Sequence, residues 1–352
     1  MPGRVTMREV AKLAGVSTAT VSAVINQNKY VSPELRRRVE QAVDRLGYRP
    51  NLVARSLKLN ETRTIGLVFT NITSPIWPPL VRTAQDMAER AGFDTVLITT
   101  DEDVERERVS IQSLLSKRVD GIVISPACAE SHSHVLQASE IVPVVIFERK
   151  IHGLENVITN NEEISYQAVS HLIDHGRQRI GMVTIPVLGS NIAERNAGYR
   201  RALRENGLYD PTLVRETDFI GESALQLTLD LLQHSDIDAI FTTSQSTAMG
   251  AYRAIRQLAR RIPDDMILYG YDDVPWMTVV DSPISTIRQP VEEMIRLAMR
   301  LLLDCLEEGR ELTGAVHTVA SSLVIRNSCG CPAASAMDTA TDALQAPAYR
   351  LA

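Results

Sequence analysis

The side chains that could do chemistry in this sequence form three small groups. Two histidines, His132 and His134, flank one serine, and two cysteines, Cys329 and Cys331, flank one glycine. A histidine pair in a loop is more typical of a solvated surface than of a metal site, and the cysteine pair is too short and isolated for a tetrahedral one. Asp272 and Asp273 could bind a cation, but a strand-end carboxylate that faces a ligand cleft is the better interpretation. We therefore predict no metal site.

Common catalytic motifs do not occur in the sequence. No GxGxxG follows a predicted strand, and there is no GxxxxGK[ST] loop, GxSxG elbow or HExxH helix. The seven histidines show no metal-ligand spacing. The sequence therefore predicts a binding protein with no catalytic residues and no cofactor, rather than an enzyme.

Composition and charge divide the chain into unlike parts. Its 352 residues are enough for two or three domains, and its hydrophobic content of 44% with 23% charged residues is typical of a soluble globular protein. Residues 1–60 hold 11 Lys plus Arg against 4 Asp plus Glu, whereas the remainder holds 26 against 39. A basic segment on an acidic body favours contact with a polyanion, although a solvated basic face would have the same composition.

Three features predict a cytoplasmic protein with no membrane partner. The first residues, MPGRVTMREV, lack the apolar core of a signal peptide. No apolar run approaches the roughly 20 residues of a membrane helix. The four cysteines are few and mostly scattered, which is typical of a reducing compartment.

The first sixty residues have the pattern of three short helices. Thr6 and Glu9 have the spacing of a capping box for the first helix. A glycine turn leads to a second helix capped by Ser17, and Ser32 caps a third helix that runs to about Leu46. Two short helices joined by a glycine-containing turn form a helix-turn-helix unit.

One face of the second helix suits a DNA major groove. Val21, Val24 and Ile25 are expected to pack inward on the same face as Thr20. The opposite, exposed face is expected to contain Thr18, Ala19, Ser22 and Ala23. Hydroxyl groups can bond base edges or phosphates, and small methyl groups can contact a thymine methyl. A small helical bundle without a ligand is the alternative.

Four segments together resemble the lactose-repressor (LacI/GalR) family of transcriptional regulators. They are GVSTATVSAVIN from residue 15, YVSPELRRRV from residue 30, LGYRPNLVARSLK from residue 46 and TRTIGLVF from residue 62. The resemblance continues in order, without large gaps, to about Cys331. It implies an all-α helix-turn-helix head plus an α/β body, in which two parallel-sheet subdomains are of the periplasmic-binding-protein-like type.

The resemblance implies that the second helix reads bases and that residues 51–58 form a hinge helix, which folds when two copies pair in the minor groove of operator DNA. Leu57 matches a leucine that wedges between base pairs, and Lys58 matches a neighbouring minor-groove contact. Ala23 departs from the family, where longer side chains are frequent. The implied DNA-binding residues are Thr6, Ser17, Thr18, Ala19, Thr20, Ser22, Ala23, Asn26, Tyr30, Val31, Asn51, Ala54, Arg55, Leu57 and Lys58.

From residue 64 onward, apolar strand-like runs alternate with helical stretches, which predicts repeated βαβ units. The predicted strands cover residues 64–69, 95–98, 121–125, 142–147, 179–183, 239–241 and 266–271. The predicted helices cover residues 79–91, 106–117, 163–175, 193–205 and 248–256. Open parallel sheets bind ligands outside the carboxyl ends of their strands, so we expect a ligand cleft between two such sheets.

The resemblance also implies an effector site in that cleft. The matching positions are Ile76, Trp77, Ser125, Glu148, Asn191, Arg195, Phe241, Gln245 and Asp272. Trp77 could stack on a sugar ring or a base, or it could be a core or interface aromatic. The Arg195 guanidinium could bind adjacent hydroxyls or a carboxylate, although Arg195 and Asp272 could each belong to an ordinary ion pair. Ser125 and Gln245 depart from common family residues, so the effector of a particular relative does not transfer to this chain. The resemblance as a whole implies a neutral sugar or sugar derivative, with a nucleobase or another small metabolite left open.

These inferences define the expected domains. They are a helix-turn-helix domain at residues 1–50, a hinge helix and linker at 51–61, an effector-binding and dimerisation domain at 62–331, and a disordered tail at 332–352. The N-subdomain is expected at about 62–160 and 290–325, and the C-subdomain at about 161–289. The tail has no leucine heptads for a tetramerisation bundle, so we expect a homodimer on a near-palindromic operator.

The sequence thus predicts a dimeric DNA-binding repressor that a small-molecule effector controls, either as an inducer or as a corepressor. One rival is a solute-binding protein of transport, which would need an export signal and no basic head. Another is a metabolic enzyme with an appended DNA-binding head, which turnover of a candidate ligand would reveal.

Overall fold

The computed structural model describes residues 5–26, 29–48, 61–127, 132–186, 189–218 and 221–331. The chain divides into two compact units between Thr62 and Arg63, which we call the head and the body and describe separately. The predicted hinge helix at residues 51–58 and the predicted tail at residues 332–352 lie outside the described residues.

Three helices form the head. They are α1 (Met7–Ala14), α2 (Thr18–Asn26) and α3 (Pro33–Leu46). Each helix has apolar residues at helical spacing, and these bury against one another in a core that contains Val10, Val21, Val24, Val39 and Tyr48.

Caps fix where the head helices begin and end. The Glu9 carboxylate accepts a hydrogen bond from the Thr6 backbone N–H at 2.7 Å, and the Thr6 hydroxyl accepts one from the Glu9 N–H, which confirms the capping box. Gly15, with a φ of 63°, ends α1 in the left-handed conformation that glycine adopts without strain. Arg38 donates to the Ala14 and Gly15 carbonyls at 3.0 and 3.3 Å, and so ties α3 to the end of α1.

The first sheet of the body has six strands. They are β1 (Thr64–Phe69), β2 (Asp94–Thr99), β3 (Gly121–Ile124), β4 (Val144–Phe147), β5 (Glu155–Thr159) and β11 (Val316–Val319). Their order is β11-β5-β4-β3-β1-β2, and all pairs are parallel. The inner strands are buried, which explains why they read as continuous apolar runs in the sequence.

The second sheet also has six strands. They are β6 (Ile180–Thr184), β7 (Val214–Glu216), β8 (Ala239–Thr242), β9 (Ile267–Tyr271), β10 (Ser285–Arg288) and β12 (Ser322–Val324). Their order is β12-β10-β9-β8-β6-β7, and β12 runs antiparallel to β10 while the other pairs are parallel.

Helices cover both faces of each sheet. They are α4 (Trp77–Arg90), α5 (Val104–Ser116), α6 (Ser133–Ser139), α7 (Asn161–Asp174), α8 (Ser190–Glu205), α9 (Gly221–His234), α10 (Gln245–Gln257) and α11 (Val291–Glu308). One core of the first sheet packs against α4 and α11, and the other packs against α5 and α6. In the second sheet, α7 and α8 cover one face and α9 and α10 the other. Within the described ranges, no helix has the length and apolar character needed to cross a membrane.

The predicted strands and helices of the body are present, with ends that differ by a few residues. Five strands were not predicted, namely β5, β7, β10, β11 and β12, because they are short or carry polar residues that hide the apolar pattern. The chain passes between the sheets after β5, after β10 and between β11 and β12. The predicted N-subdomain limit at residue 325 is therefore wrong, since β12 pairs with β10 in the second sheet.

Candidate functional site

The head exposes a short polar surface on α2. Thr18 and Ala19 are exposed and Ser22 is half-buried, whereas Val21 and Val24 of the same helix lie in the core. Helical periodicity produces this division, and the small side chains allow close approach of another surface.

Ala23 does not belong to that exposed surface. Its side chain is only 8% exposed, so its predicted place on the outer face is wrong. The reason is geometric. Residues three apart on a helix differ in direction by about 60°, so Ala23 points close to the half-buried Thr20 rather than away from the core.

Several other predicted contacts have local structural roles. The Ser17 hydroxyl accepts from the Thr20 N–H at 3.1 Å, so Ser17 caps α2 as Thr6 caps α1, and the Thr20 hydroxyl lies 2.9 Å from that of Ser17. Val31 packs partly against the head core, whereas Tyr30 is 90% exposed. The remaining predicted contacts lie outside the described residues: the side chain of Asn26, and Asn51, Ala54, Arg55, Leu57 and Lys58.

In the body, two acidic residues follow strands of different sheets. Glu148 follows β4 and Asp272 follows β9, and both have positive φ, 69° and 66°. Residues other than glycine rarely adopt this left-handed region, and strain of this kind clusters at functional sites. Both residues also lie at the carboxyl ends of parallel strands, where open α/β sheets bind ligands.

Arg195, on α8, is the centre of a buried polar cluster and is 3% exposed. Its Nε donates to Asn161 Oδ1 at 3.0 Å, and one terminal nitrogen donates to the Thr243 carbonyl at 2.8 Å. The other terminal nitrogen donates to Gln289 Oε1 at 3.2 Å, and the guanidinium carbon lies 3.8 Å from the Tyr271 ring centroid. Each guanidinium nitrogen thus has a partner, as a buried cation requires.

Asp272 extends this cluster. Its Oδ1 accepts from Gln289 Nε2 at 2.6 Å, and its Oδ2 accepts from the Gln245 backbone N–H at 3.2 Å. Gln289 therefore links Arg195 to Asp272, and the two belong to a hydrogen-bonded network rather than to an isolated ion pair. Burial raises the pKa of Tyr271 to about 12, so its hydroxyl stays protonated and donates to Asn161 Oδ1. We call Asn161, Arg195, Tyr271, Asp272 and Gln289 the arginine cluster.

Glu148 forms a bridge between the two layers of the body. Its Oε1 accepts from Asn191 Nδ2 at 2.9 Å, and its Oε2 accepts from the Ser125 hydroxyl at 3.2 Å. Ser125 follows β3 of the first sheet, whereas Asn191 lies in the first turn of α8, against the second sheet. The Lys150 N–H also donates to the Ser190 hydroxyl at 2.9 Å across the same junction. The fold thus brings three predicted effector residues together.

Two predicted aromatic contacts lie in the apolar cores. Trp77 is 5% exposed, and its ring centroid lies 5.1 Å from that of Phe69 and 6.2 Å from that of Phe147. The structure therefore supports the alternative in which Trp77 is a core residue. Phe241 is fully buried and stacks on Tyr199 at 6.2 Å, because its side of β8 faces the apolar layer of α7 and α8. In this conformation it presents no surface to a ligand, so the predicted contact at Phe241 is not met.

Three members of the arginine cluster were not predicted, namely Asn161, Tyr271 and Gln289. Asn161 and Gln289 lie near the points where the chain passes between the sheets, and nothing local in the sequence marks them. Tyr271 had a signal, since it directly precedes Asp272 at the end of a predicted strand. At the same junction, Ile76 is half-buried and packs against cores of both sheets, as expected of a residue beside the cleft.

A second cluster involves Cys331, for which the sequence predicts no metal site. Cys331 Sγ lies 3.5 Å from His171 Nε2 and 3.1 Å from His175 Nε2. Two histidines four residues apart share one face of a helix, and this spacing was overlooked. The predictions that the cysteine pair is isolated and that the histidines lack ligand spacing are therefore wrong.

Comparison with known proteins bears on both units. Residues 6–51 match the bacterial regulatory proteins of the lacI family, and residues 169–329 match a periplasmic binding protein-like domain. The ribose operon repressor of Escherichia coli (strain K12) is 36% identical over 305 residues, which cover 85% of this chain and 92% of that protein. The chain belongs to the lacI family. A second relative, the HTH-type transcriptional repressor PurR of Aliivibrio salmonicida (strain LFI1238), is 33% identical over 310 residues, which cover 86% of this chain and 92% of that protein.

Solved lacI-family structures share this fold. The lac repressor dimer bound to operator and the anti-inducer ONPF superposes with a TM-score of 0.83 at 26% identity, covering 93% of this chain and 99% of that one. The complex of the regulator CelR with cellobiose gives a TM-score of 0.70 at 31% identity, covering 92% and 100%. The predicted fold class, a helix-turn-helix head with two parallel-sheet subdomains, is confirmed.

Membership of the lacI family also decides the general function. The protein is a DNA-binding transcriptional repressor with an effector-binding domain, and its named relatives are repressors rather than enzymes. The predicted regulator is thus confirmed over the transport protein and the metabolic enzyme.

Proposed function

We propose that this lacI-family protein is a cytoplasmic homodimer that binds a near-palindromic operator and that a neutral sugar or sugar derivative controls its operator affinity. The effector binds between the two sheets of the body, beside the arginine cluster and the Glu148 bridge. Two relatives support this class of partner: the lac repressor structure is a dimer on its operator, and the CelR structure is a complex with cellobiose.

The polar lining of this junction is the observation that carries the proposal. Arg195 supplies donors, Glu148 and Asp272 supply acceptors, and Asn191 supplies both. Sugar hydroxyls donate and accept hydrogen bonds, so a ring with several hydroxyls can satisfy such a mixed set. A site built to bond hydroxyls also rejects ligands that lack them, because its buried polar groups would then be unpaired.

The same bonds provide a route for control. The Glu148–Asn191 hydrogen bond joins the layers of the two sheets. A ligand hydroxyl that donates to Glu148 and accepts from Asn191 would replace this bond and change the relative stability of two arrangements of the body. Only the difference in effector affinity between those arrangements alters operator binding, and the sign of that difference separates an inducer from a corepressor.

On the head, we assign base reading to Thr18, Ala19 and Ser22. This surface is narrow and offers few hydrogen bonds, so DNA deformation by the hinge is expected to supply much of the specificity. Leu57 is the proposed wedge in the minor groove, and Lys58 its neighbouring contact.

Titration of the full-length protein on labelled DNA from upstream of its own gene tests this proposal. The candidates are ribose, cellobiose, other neutral sugars, sugar acids, sugar phosphates and nucleobases. We expect at least one neutral sugar to change operator affinity by about tenfold, within the usual range of allosteric coupling. A response to a nucleobase alone would replace the sugar assignment. An effector that binds with a stoichiometry other than one per chain would contradict the single cleft site.

A further inference from the structure

Two histidines and two cysteines meet at the end of α7 that is remote from the arginine cluster. His171 lies in the last turn of α7, and His175 follows the helix directly as its C-cap. Cys329 and Cys331 end the described part of the body, far along the sequence from α7. Gly330, with a φ of 83°, forms the left-handed turn between the two cysteines, a conformation that favours glycine.

The distances fit a tetrahedral zinc site. Zinc binds sulfur at about 2.3 Å and imidazole nitrogen at about 2.0 Å, so the two ligand atoms lie roughly 3.5 Å apart across a tetrahedron. Cys331 Sγ lies 3.5 Å from His171 Nε2 and 3.1 Å from His175 Nε2. All three potential ligand atoms lie within 4.8 Å of one another, so small side-chain rotations would complete the geometry.

The tautomer of His175 is already suitable for a ligand. Its Nδ1 lies 2.7 Å from the His171 carbonyl oxygen. Because a carbonyl oxygen only accepts, Nδ1 carries the proton, and the Nε2 lone pair of the neutral ring is directed at Cys331. Metal-binding histidines use this arrangement, in which the other ring nitrogen donates to a carbonyl or a carboxylate.

The hydrogen bonds in this cluster use protons that a metal ion would displace. Cys331 Sγ can accept from a protonated His171 Nε2 while its thiol donates to His175 Nε2, and metal binding would release both protons. Cys329, two residues before Cys331, is buried, and its thiol donates to the Arg326 carbonyl at 3.3 Å. Tyr269, whose ring lies 6.1 Å from that of His171, is fully buried, and among the described residues its hydroxyl has no hydrogen-bond partner. A buried hydroxyl without a partner is unusual, and a nearby anionic ligand atom such as a thiolate would give it an acceptor.

We propose that His171, His175 and Cys331 bind one Zn²⁺ per chain, and that Cys329 turns its thiol from the Arg326 carbonyl to become the fourth ligand. Mixed imidazole and thiolate ligands select zinc among the common divalent ions, and two thiolates neutralise its charge in a partly buried site. The metal fastens the segment that follows β12 to α7, because the ligands come from two segments that are distant in the chain. This site is separate from the proposed effector site and does not depend on it.

Zinc binding by the full-length, reduced protein tests the site, with a chromophoric chelator as competitor. We expect one Zn²⁺ per chain, and at least a tenfold loss of affinity in His175→Ala and in Cys331→Ser, since even the loss of a supporting contact to a ligand costs about tenfold or more. Saturating Zn²⁺ should raise the melting temperature of the wild type and leave that of His175→Ala unchanged. His175 is exposed, so its replacement is not expected to prevent folding.

The chain offers matched controls. His234 also lies at the end of a helix, and its Nδ1 lies 3.0 Å from the carbonyl oxygen four residues before it, but no thiol is described beside it. His234→Ala and Cys305→Ser should therefore bind Zn²⁺ like the wild type. Co²⁺ bound in place of Zn²⁺ should give a thiolate charge-transfer band. This band should be weaker in each of the single variants Cys329→Ser and Cys331→Ser.

Three outcomes would overturn the assignment. The first is wild-type protein that binds Zn²⁺ no more tightly than the double variant His175→Ala/Cys331→Ser. The second is a Co²⁺ spectrum and Zn²⁺ affinity that Cys329→Ser leaves unchanged, which would remove the fourth ligand. The third is an intact mass that shows a Cys329–Cys331 disulfide that persists under the reductant of the binding assay.

Discussion

The head and the body place their candidate binding residues in opposite environments. On the head, Thr18 and Ala19 are exposed, whereas in the body Arg195 and Asp272 are only 3% and 5% exposed. An exposed residue can change with little effect on its neighbours, but each polar atom of a buried cluster needs a partner. The head can therefore acquire a new specificity one residue at a time, while the body has to change as a network.

The largest effect should come from breaking that network at Arg195. Arg195→Gln removes the cation, leaves Gln289 Oε1 without its donor, and leaves Asn161 Oδ1 with only the Tyr271 hydroxyl. Losing one partner of a buried charged contact costs about 2–5 kcal/mol, so we expect at least a 30-fold loss of effector affinity, measured by calorimetry with the effector that the operator titration identifies.

The matched control for this variant is Arg201→Gln on the same helix. Arg201 is partly exposed and pairs with Glu162 and Glu163 at the surface, so its loss should leave effector affinity nearly unchanged. Operator binding without effector shows that each variant is folded. Equal losses in the two variants would place the effector site elsewhere.

A smaller but selective effect is expected on the head. Ala19→Glu adds a negative charge to the exposed surface of α2, where it would face DNA. We expect operator affinity to fall by about 1–3 kcal/mol, which is roughly tenfold to a hundredfold, with no change in thermal stability. The same charge at the exposed Gln41 on α3 should cost less in a gel-shift titration. If both positions weaken binding equally, net charge rather than contact explains the loss.

Substitution of Ala23 tests whether this residue belongs to the surface of α2 that contacts DNA bases. Because Ala23 is buried, Ala23→Leu overpacks the head and should lower its free energy of unfolding by about 1–3 kcal/mol. Ala19→Leu, at an exposed position, should change it by less than about 0.5 kcal/mol. Hydrogen exchange of the head amides in the full-length protein measures both. A stable Ala23→Leu protein with altered operator preference would mean that Ala23 belongs to the surface that contacts DNA bases.

The smallest effect concerns a polar contact near the last passage between the sheets. Glu155 Oε2 accepts from the backbone N–H groups of Thr313 and Gly314, at 2.9 Å each, and Oε1 contacts His317 at 2.5 Å. Burial acts to raise the pKa of Glu155, but these hydrogen bonds outweigh it and hold the pKa below its ordinary value of 4.5. A carboxyl with a lowered pKa stabilises the fold above its unfolded-state pKa and loses that contribution as the pH falls through its folded-state pKa.

We therefore expect Glu155→Gln to destabilise the body at pH 7 and the difference from the wild type to shrink as the pH falls below 4.5. Urea unfolding at several pH values measures the difference. Glu140→Gln, at an exposed position, is the control, and its free energy of unfolding should equal that of the wild type at every pH. A gap that stays constant with pH would mean that shape rather than charge makes Glu155 stabilising.

The sequence by itself determined the features that depend on neighbours along the chain. The capping box at Thr6, the three head helices and the buried strands follow from local periodicity and local hydrogen bonding, and the quoted segments were sufficient to indicate the family. Arg195 and Asp272 could also be named, because they match positions in that family and the second ends a recognisable strand.

Only the tertiary structure decided what meets across long distances in the chain. In the structure, Asn161 and Gln289 surround Arg195, β12 belongs to the second sheet, and Cys331 contacts His171. The structure also shows that Ala23 faces the core. Its direction on α2 differs from that of the predicted outer face by an angle too small for a division into outer and inner faces to resolve. The contacts at Arg195, β12 and Cys331 depend on packing between segments that are up to about half the chain apart, and local spacing does not encode such contacts.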